Sequence, residues 1–172
     1  MKSLLHISKY SFFLLLITSC EKEENIPVDT SLSVRLIASS YEIESGNSLT
    51  VSVEVKNADL LFALSLELNY APDLFNADST ADIISTGNLF SDPFPADPPI
   101  LFSDGQVSVG LGEWGSIPKT VSGTVCYIIF TALSTGTGTL YISSIDMIKK
   151  DGSDIDGLDN LMIYPIEIQV IE

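Results

Sequence analysis

Most of the residues from which catalytic centres are built are scarce in this chain. Of its 172 residues one is histidine, two are cysteine, one is tryptophan and one, Arg35, is arginine. The histidine, His6, lies in the N-terminal stretch that reads below as a removable leader, so neither serine–histidine nor cysteine–histidine catalysis can be assembled in what remains. Positive charge is also in short supply, with 8 Lys and Arg against 23 Asp and Glu, for a net charge of −15. A surface of that sign repels phosphates, which argues against nucleic acid as a partner and against electrostatic adhesion to anionic lipid. The sequence has no glycine-rich phosphate loop, no zinc-ligand spacing, no nucleotide fingerprint and no long amphipathic helix. It therefore reads as non-catalytic. Its acidic residues fall mostly at turns and on polar strand faces, where solvated surface is the default, and no carboxylate pair for glycoside hydrolysis can be singled out.

What the N-terminus does contain is an address. Lys2 and Lys9 precede the apolar run Phe12 to Ile17, which has the length of a secretory core and falls short of the ~20 apolar residues of a membrane span. Its end, Ile17-Thr18-Ser19-Cys20, resembles the lipobox of bacterial lipoproteins, in which the cysteine becomes both lipidated and N-terminal. The residues that follow, Glu21-Lys22-Glu23-Glu24, resemble the acidic signature that some Bacteroidota lipoproteins use to reach the outer face of the outer membrane. The expected organisation is a lipoprotein signal peptide over 1–19, an acidic tether over 20–30 and one folded domain over 31–172. The resemblance implies an outer-membrane, surface-exposed protein, with the periplasmic face as the alternative, held through acyl chains on Cys20; stable anchoring needs more than one chain. An acylated Cys20 leaves Cys126 without a disulfide partner. Within the apolar run Thr124 to Phe130, Cys126 reads as a small buried hydrophobe.

Beyond the tether the apolar period is two. Leu49, Val51, Val53 and Val55 alternate with polar residues, as do Phe62, Leu64, Leu66 and Leu68, the pattern of half-buried antiparallel strands. Further strands are expected over Leu32 to Ile37 with a continuation to Ile43, and over 100–103, 106–113, 124–133, 139–148 and 161–171. Turns are expected at Ser45-Gly46-Asn47, Asp104-Gly105, Ser122-Gly123, Thr135 to Gly138 and Asp151-Gly152. Asp78 to Ser85 suits a short turn or bridging strand. Ser91 to Pro99, carrying Pro93, Pro95, Pro98 and Pro99, reads as an irregular loop because proline cannot donate to a ladder. The predicted fold is all-β, a jelly-roll sandwich of about nine antiparallel strands.

The order of these features carries a resemblance. Gly46 precedes an alternating strand, Asn57 follows it, and the next strand ends in Asn69-Tyr70-Ala71-Pro72-Asp73-Leu74. Then come Asp104-Gly105-Gln106-Val107-Ser108-Val109, Gly123 to Phe130 and Gly138-Thr139-Leu140-Tyr141-Ile142. In that succession the chain resembles cohesin domains, which are grouped structurally with the family 2 and 3 carbohydrate-binding modules. The match runs from about Ser33 to Ile171 and departs from the usual Tyr-Asp-Pro turn at Ala71. It implies a binding module on a β-sandwich; cohesins proper hold dockerins through one sheet face, with contacts that differ between types, so no contact residue can be carried over.

Two constellations stand out. Trp114, between Gly112 and Gly115, is the sole tryptophan, and with Phe90, Phe94 and Phe102 in the neighbouring loop it suggests a ligand-binding aromatic platform; a hydrophobic plug under a long loop explains the same residues. Asp151, Asp154, Asp156 and Asp159 crowd a glycine-bearing loop of the kind Ca²⁺ prefers. They miss the EF-hand register, and a polar hairpin turn is the plainer reading. The expected function is a non-catalytic surface module that binds polysaccharide, or scaffolds a protein partner, in polysaccharide degradation. The alternative is a protein–protein adaptor or structural subunit of the envelope with no glycan affinity.

Overall fold

The computed structural model of the chain describes residues 30–77 and 84–172, with side chains left aside at 84–86 and 95–102. The expected leader, the tether as far as Asp29, and Cys20 lie outside the described residues. The chain forms β1 (Ser33–Ala38), β2 (Glu42–Glu44), β3 (Ser48–Asp59), β4 (Ala63–Asn69), β5 (Phe75–Asn76) and β6 (Ile84–Thr86). There follow β7 (Pro93–Ser103), β8 (Gln106–Glu113), β9 (Thr120–Ala132), β10 (Gly136–Ile148), a 3₁₀ turn at Leu158–Asn160, and β11 (Ile166–Ile171).

One sheet runs β1-β3-β9-β5, with β6 also paired to β9; the other runs β2-β11-β10-β4-β8-β7. The alternation seen in the sequence decides which side of each strand turns inward. Leu49, Val51, Val53 and Val55 of β3 meet Ile128 and Phe130 of β9, and across the sandwich lie Leu64, Leu66 and Leu68 of β4 with Val107, Val109, Leu140 and Met147. Each such side chain contributes about 1.5–3 kcal/mol through removal from water. Three rings lock the middle, Tyr70 and Phe75 lying 5.2 and 6.4 Å from Phe130, both edge-on. The predicted all-β sandwich is therefore the fold, and the turns at Gly46 and Gly105 sit at positive φ, 87° and 78°, where glycine meets no steric penalty.

Four local expectations change. The continuation of the first strand towards Ile43 is a separate strand, β2, which leaves β1 and pairs with β11 in parallel, the one parallel pair among the described strands. The proline-rich segment expected as a loop is β7. It lies at the edge of its sheet, so the missing N–H groups can be directed away from the ladder, and its pairing with β8 is interrupted between Pro95 and Ile100. Ser122-Gly123 is no turn but part of β9. Gly123 is required because a Cβ there would stand 2.7 Å from Asn88 Oδ1 and 3.1 Å from the Leu89 backbone. Finally, the last strand begins at Ile166, after Pro165, rather than at Leu161.

Candidate binding face

The two sandwich faces differ in what they offer a partner. The outer side of β1, β3 and β9 pairs its own polar groups, with Arg35 Nη2 2.8 Å from Glu54 Oε2 and the Ser48 and Thr131 hydroxyls 3.1 Å apart. The outer side of β10-β4-β8-β7 is a ladder of four rungs. Because Leu64, Leu66 and Leu68 point inward, the residues between them face out, and strand register aligns each with its neighbours. The first rung is Tyr141, Asn69, Gln106 and Ser103; the second is Ser144, Glu67 and Ser108; the third is Asp146, Ser65 and Gly110. The fourth is Ile148, Ala63, Gly112 and Phe94. Small residues thus pave the lower half of the face and keep it flat.

On that flat end the Phe94 ring lies directly over Gly112, where any Cβ would come within 2.3 Å of its Cζ. Trp114 packs on Phe94 with ring centroids 4.6 Å apart and 47° between planes, and Phe62 approaches Phe94 from elsewhere at 5.8 Å. Trp114 is nonetheless 72% exposed. Beside the rings a shallow groove of about 190 Å³ runs between Phe94 and Ile148, lined also by Ala63, Ser65, Gly110 and Asp146. Glu67 and Asp146 are the charged residues on the rungs, so the face is negative. An apolar corner on an acidic, flat surface suits a partner that supplies an aliphatic side chain flanked by Lys or Arg.

A buried carboxylate underlies the corner. Glu113, only 3% exposed, ends β8 with its side chain turned into the protein. Its Oε2 accepts from Ser91 N at 2.7 Å and from Ser91 Oγ at 3.1 Å, and its Oε1 accepts from Asp92 N at 3.1 Å and Gly115 N at 2.8 Å. Burial works to raise its pKa, but the backbone donors of Gly115, Ser91 and Asp92, with the Ser91 hydroxyl, hold it below the ordinary carboxylate value. The backbone completes the tie: Trp114 N donates to Asp92 O at 2.9 Å and Glu113 N to Phe62 O at 2.9 Å.

Of the aromatic residues expected to form a platform, the structure brings Trp114 and Phe94 together and adds Phe62, which its sequence period assigned to the core. Phe90 does not join them. At 7% exposure it belongs to the hydrophobic core, because the segment from Leu89 turns both apolar side chains inward where they pass β9. Phe102 pairs through its backbone with Val107, and its side chain lies outside those described. Sequence reasoning missed Glu113 and Gly110, and took Gly112 only as a neighbour of Trp114. The available signal was a strand with glycine at alternate positions, 110 and 112, which marks a close approach of another group.

The Asp151–Asp159 loop belongs to the longer connection between β10 and β11, with a turn around Asp151 at its start and the 3₁₀ turn at Leu158–Asn160 near its middle. Asp151 accepts from the Ser153 hydroxyl at 2.7 Å and its N–H at 3.0 Å, which hold its carboxyl below the ordinary value, and Asp156 pairs with Lys149 Nζ at 3.0 Å. Among the described residues no three carboxylate, histidine or cysteine side chains gather as a metal would require, so Asp151, Asp154, Asp156 and Asp159 do not converge on a common point. Cys126 is fully buried, and burial pushes its thiol up to about 12, leaving it inert at neutral pH.

Comparison with known proteins agrees with this architecture. Residues 36–161 match the family model of the cohesin domain. The fold is similar to a non-cellulosomal cohesin from the archaeon Archaeoglobus fulgidus, with TM-score 0.63 and 18% identity over 81% of this chain and 92% of the other. It is similar to a cohesin module of a family 33 glycoside hydrolase from Clostridium perfringens, with TM-score 0.62 and 13% identity over 82% and 97%. A type II cohesin solved in a cohesin–X–dockerin complex from Acetivibrio cellulolyticus gives TM-score 0.68 and 13% identity over 82% and 100%. No curated relative matches the chain in sequence.

Proposed function

The chain belongs to the cohesin family of non-catalytic, protein-binding modules, and from that premise we propose that it captures a dockerin-bearing protein on the outer face of β10-β4-β8-β7. The observation that carries this reading is the corner at the fourth rung, where an exposed tryptophan stacks on a phenylalanine above a glycine and opens into an apolar groove. Exposed aromatic anchors beside a groove are where binding energy concentrates in protein interfaces. The acidic rungs steer the choice of partner towards a surface carrying Lys or Arg next to its aliphatic contact.

The exposure of Trp114 also favours a second reading, polysaccharide binding. The 47° tilt between Trp114 and Phe94 counts against it, since sugars in a chain stack best on rings set side by side in one plane. We assign the module to the outer membrane, surface-exposed and held by acyl chains on Cys20, with residues 20–30 as its tether and 31–172 as the domain. The lipobox resemblance at Ile17-Thr18-Ser19-Cys20 and the acidic residues after it support this. Loss of membrane association on Cys20→Ser tests the anchor.

For the partner, titration calorimetry against a panel of isolated dockerin modules is paired with affinity electrophoresis in polysaccharide gels. The expected result is saturable binding of one or more dockerins, abolished by Trp114→Ala, and no retardation by glycans. Retardation by a polysaccharide that Trp114→Ala removes, with no dockerin bound, overturns the reading in favour of glycan capture.

A further inference from the structure

We propose that Glu113 is the positioning residue of the binding corner: its carboxylate clasps the Ser91–Asp92 segment to Gly115 and thereby fixes how Phe94 and Trp114 present themselves. The inference rests on the reading of this corner as the partner site. The ladder alone does not explain the arrangement. Phe94 belongs to edge strand β7, whose pairing with β8 breaks after Pro95, and Trp114 stands one residue beyond the end of β8. Phe94 therefore sits in a three-residue paired stretch next to a break in the ladder, and Trp114 sits outside the ladder altogether. Besides the single backbone bond from Trp114 N to Asp92 O, what joins their flanks is one side chain with donors on both sides of it: Ser91 N, Ser91 Oγ and Asp92 N from the chain entering β7, and Gly115 N from the chain leaving β8.

A buried carboxylate is costly unless its oxygens are satisfied, and here each oxygen accepts at least two hydrogen bonds. Such a fully satisfied network holds its members in one geometry, while an unpaired member is costly. Gly115 is part of the design. A Cβ there would stand 2.8 Å from Glu113 Oε1, so any other residue forces the carboxylate to shift from its present position. Preorganisation is the benefit to binding, because a corner already ordered loses less conformational entropy when a partner arrives.

The test uses the full chain and needs no partner, so its failure is distinguishable from failure of the dockerin reading. Amide hydrogen exchange and the fluorescence anisotropy of Trp114, the sole tryptophan, are measured for the parent, Glu113→Gln and Gly115→Ala. Glu113→Gln places an NH₂ group against N–H donors, and Gly115→Ala presses a methyl on the carboxylate while keeping its charge. The expected result in both is exchange at Ser91, Asp92 and Gly115 faster by about tenfold or more, with reduced Trp114 anisotropy and unchanged protection of Val51, Leu66 and Phe130. Unchanged exchange and anisotropy at the corner overturn the proposal. So does equal loss of protection in the core, which would make Glu113 a general structural residue. If Glu113→Gln does not fold, Gly115→Ala decides alone on the same two outcomes.

Discussion

The two ends of the outer β10-β4-β8-β7 face are built from the same strands, yet they solve opposite problems. At the first two rungs, long polar side chains reach across the surface: Gln106 Nε2 donates to Glu67 Oε2 at 3.1 Å, and Asn69 donates to the Ser143 hydroxyl. These contacts are exposed and compete with water, so they hold little energy. At the fourth rung the two central strands contribute almost no side chain, only Ala63 and Gly112, and the surface is made by Ile148 and Phe94 of the flanking strands with the Trp114 ring from just beyond β8. That end is kept in place by a polar group hidden beneath it. The difference teaches that the strong hydrogen bonds of this face are not the ones a partner would see. They lie below the apolar corner and fix its shape.

The sharpest way to break the contrast is to remove the aromatic anchor. Trp114→Ala is expected to weaken partner affinity by ~2 kcal/mol or more, about 30-fold, with thermal stability nearly unchanged because the ring is largely solvent-exposed. Calorimetry and melting on one sample separate the two. Next comes Gly112→Ala, whose methyl collides with the Phe94 ring. Displacing that ring is expected to cost about 1–3 kcal/mol of stability, read from the urea midpoint, and to weaken binding as well, whereas Ser108→Ala at the second rung leaves both as they were.

Acid sharpens the comparison without mutation. Because the Glu113 pKa in the folded protein lies below the ordinary 4.5, the unfolded chain takes up the proton first. Its stabilising contribution is therefore complete above pH 4.5 and is lost as the pH falls through the folded value; raising the pH does not touch it. Urea midpoints between pH 7 and pH 3 should fall more steeply for the parent than for Glu113→Gln, and parallel curves would remove the carboxylate from the account. The smallest effect belongs to the polar end: Glu67→Ala is expected to change stability by less than ~1 kcal/mol, and a larger loss would show that the polar end, where Glu67 accepts from Gln106, is more than solvated surface.

Much of the sandwich was legible because its signals are local. The alternation in β3 and β4 correctly placed Val51, Val53, Leu64, Leu66 and Leu68 inside, and the turns at Gly46 and Gly105 follow from their residue types. The aromatic corner was legible in half. Trp114 and Phe94 were legible by type and proximity in the chain, while Phe62 was hidden by its good alternation with Leu64, and Phe90, open to either a platform or a buried plug, is buried. Glu113 resembled one more solvated acid in a chain with 23 acidic residues. Nothing in its immediate neighbours announces that the donors of Ser91 and Asp92, over twenty positions earlier, converge on it.

By itself, then, the sequence determined the all-β class, the inward face of the regular strands and the poverty of catalytic groups, because residue types, a period of two and glycine turns act within a few residues. Only the tertiary structure decided that a proline run serves as an edge strand and that Gly123 is a packing position rather than a turn. It likewise sent Phe90 inward while Phe94 stayed on the surface, and made one buried carboxylate the hinge between two chain segments. Each of those outcomes depends on which strand lies alongside, and neighbours across a sandwich are set by packing between residues far apart in the chain.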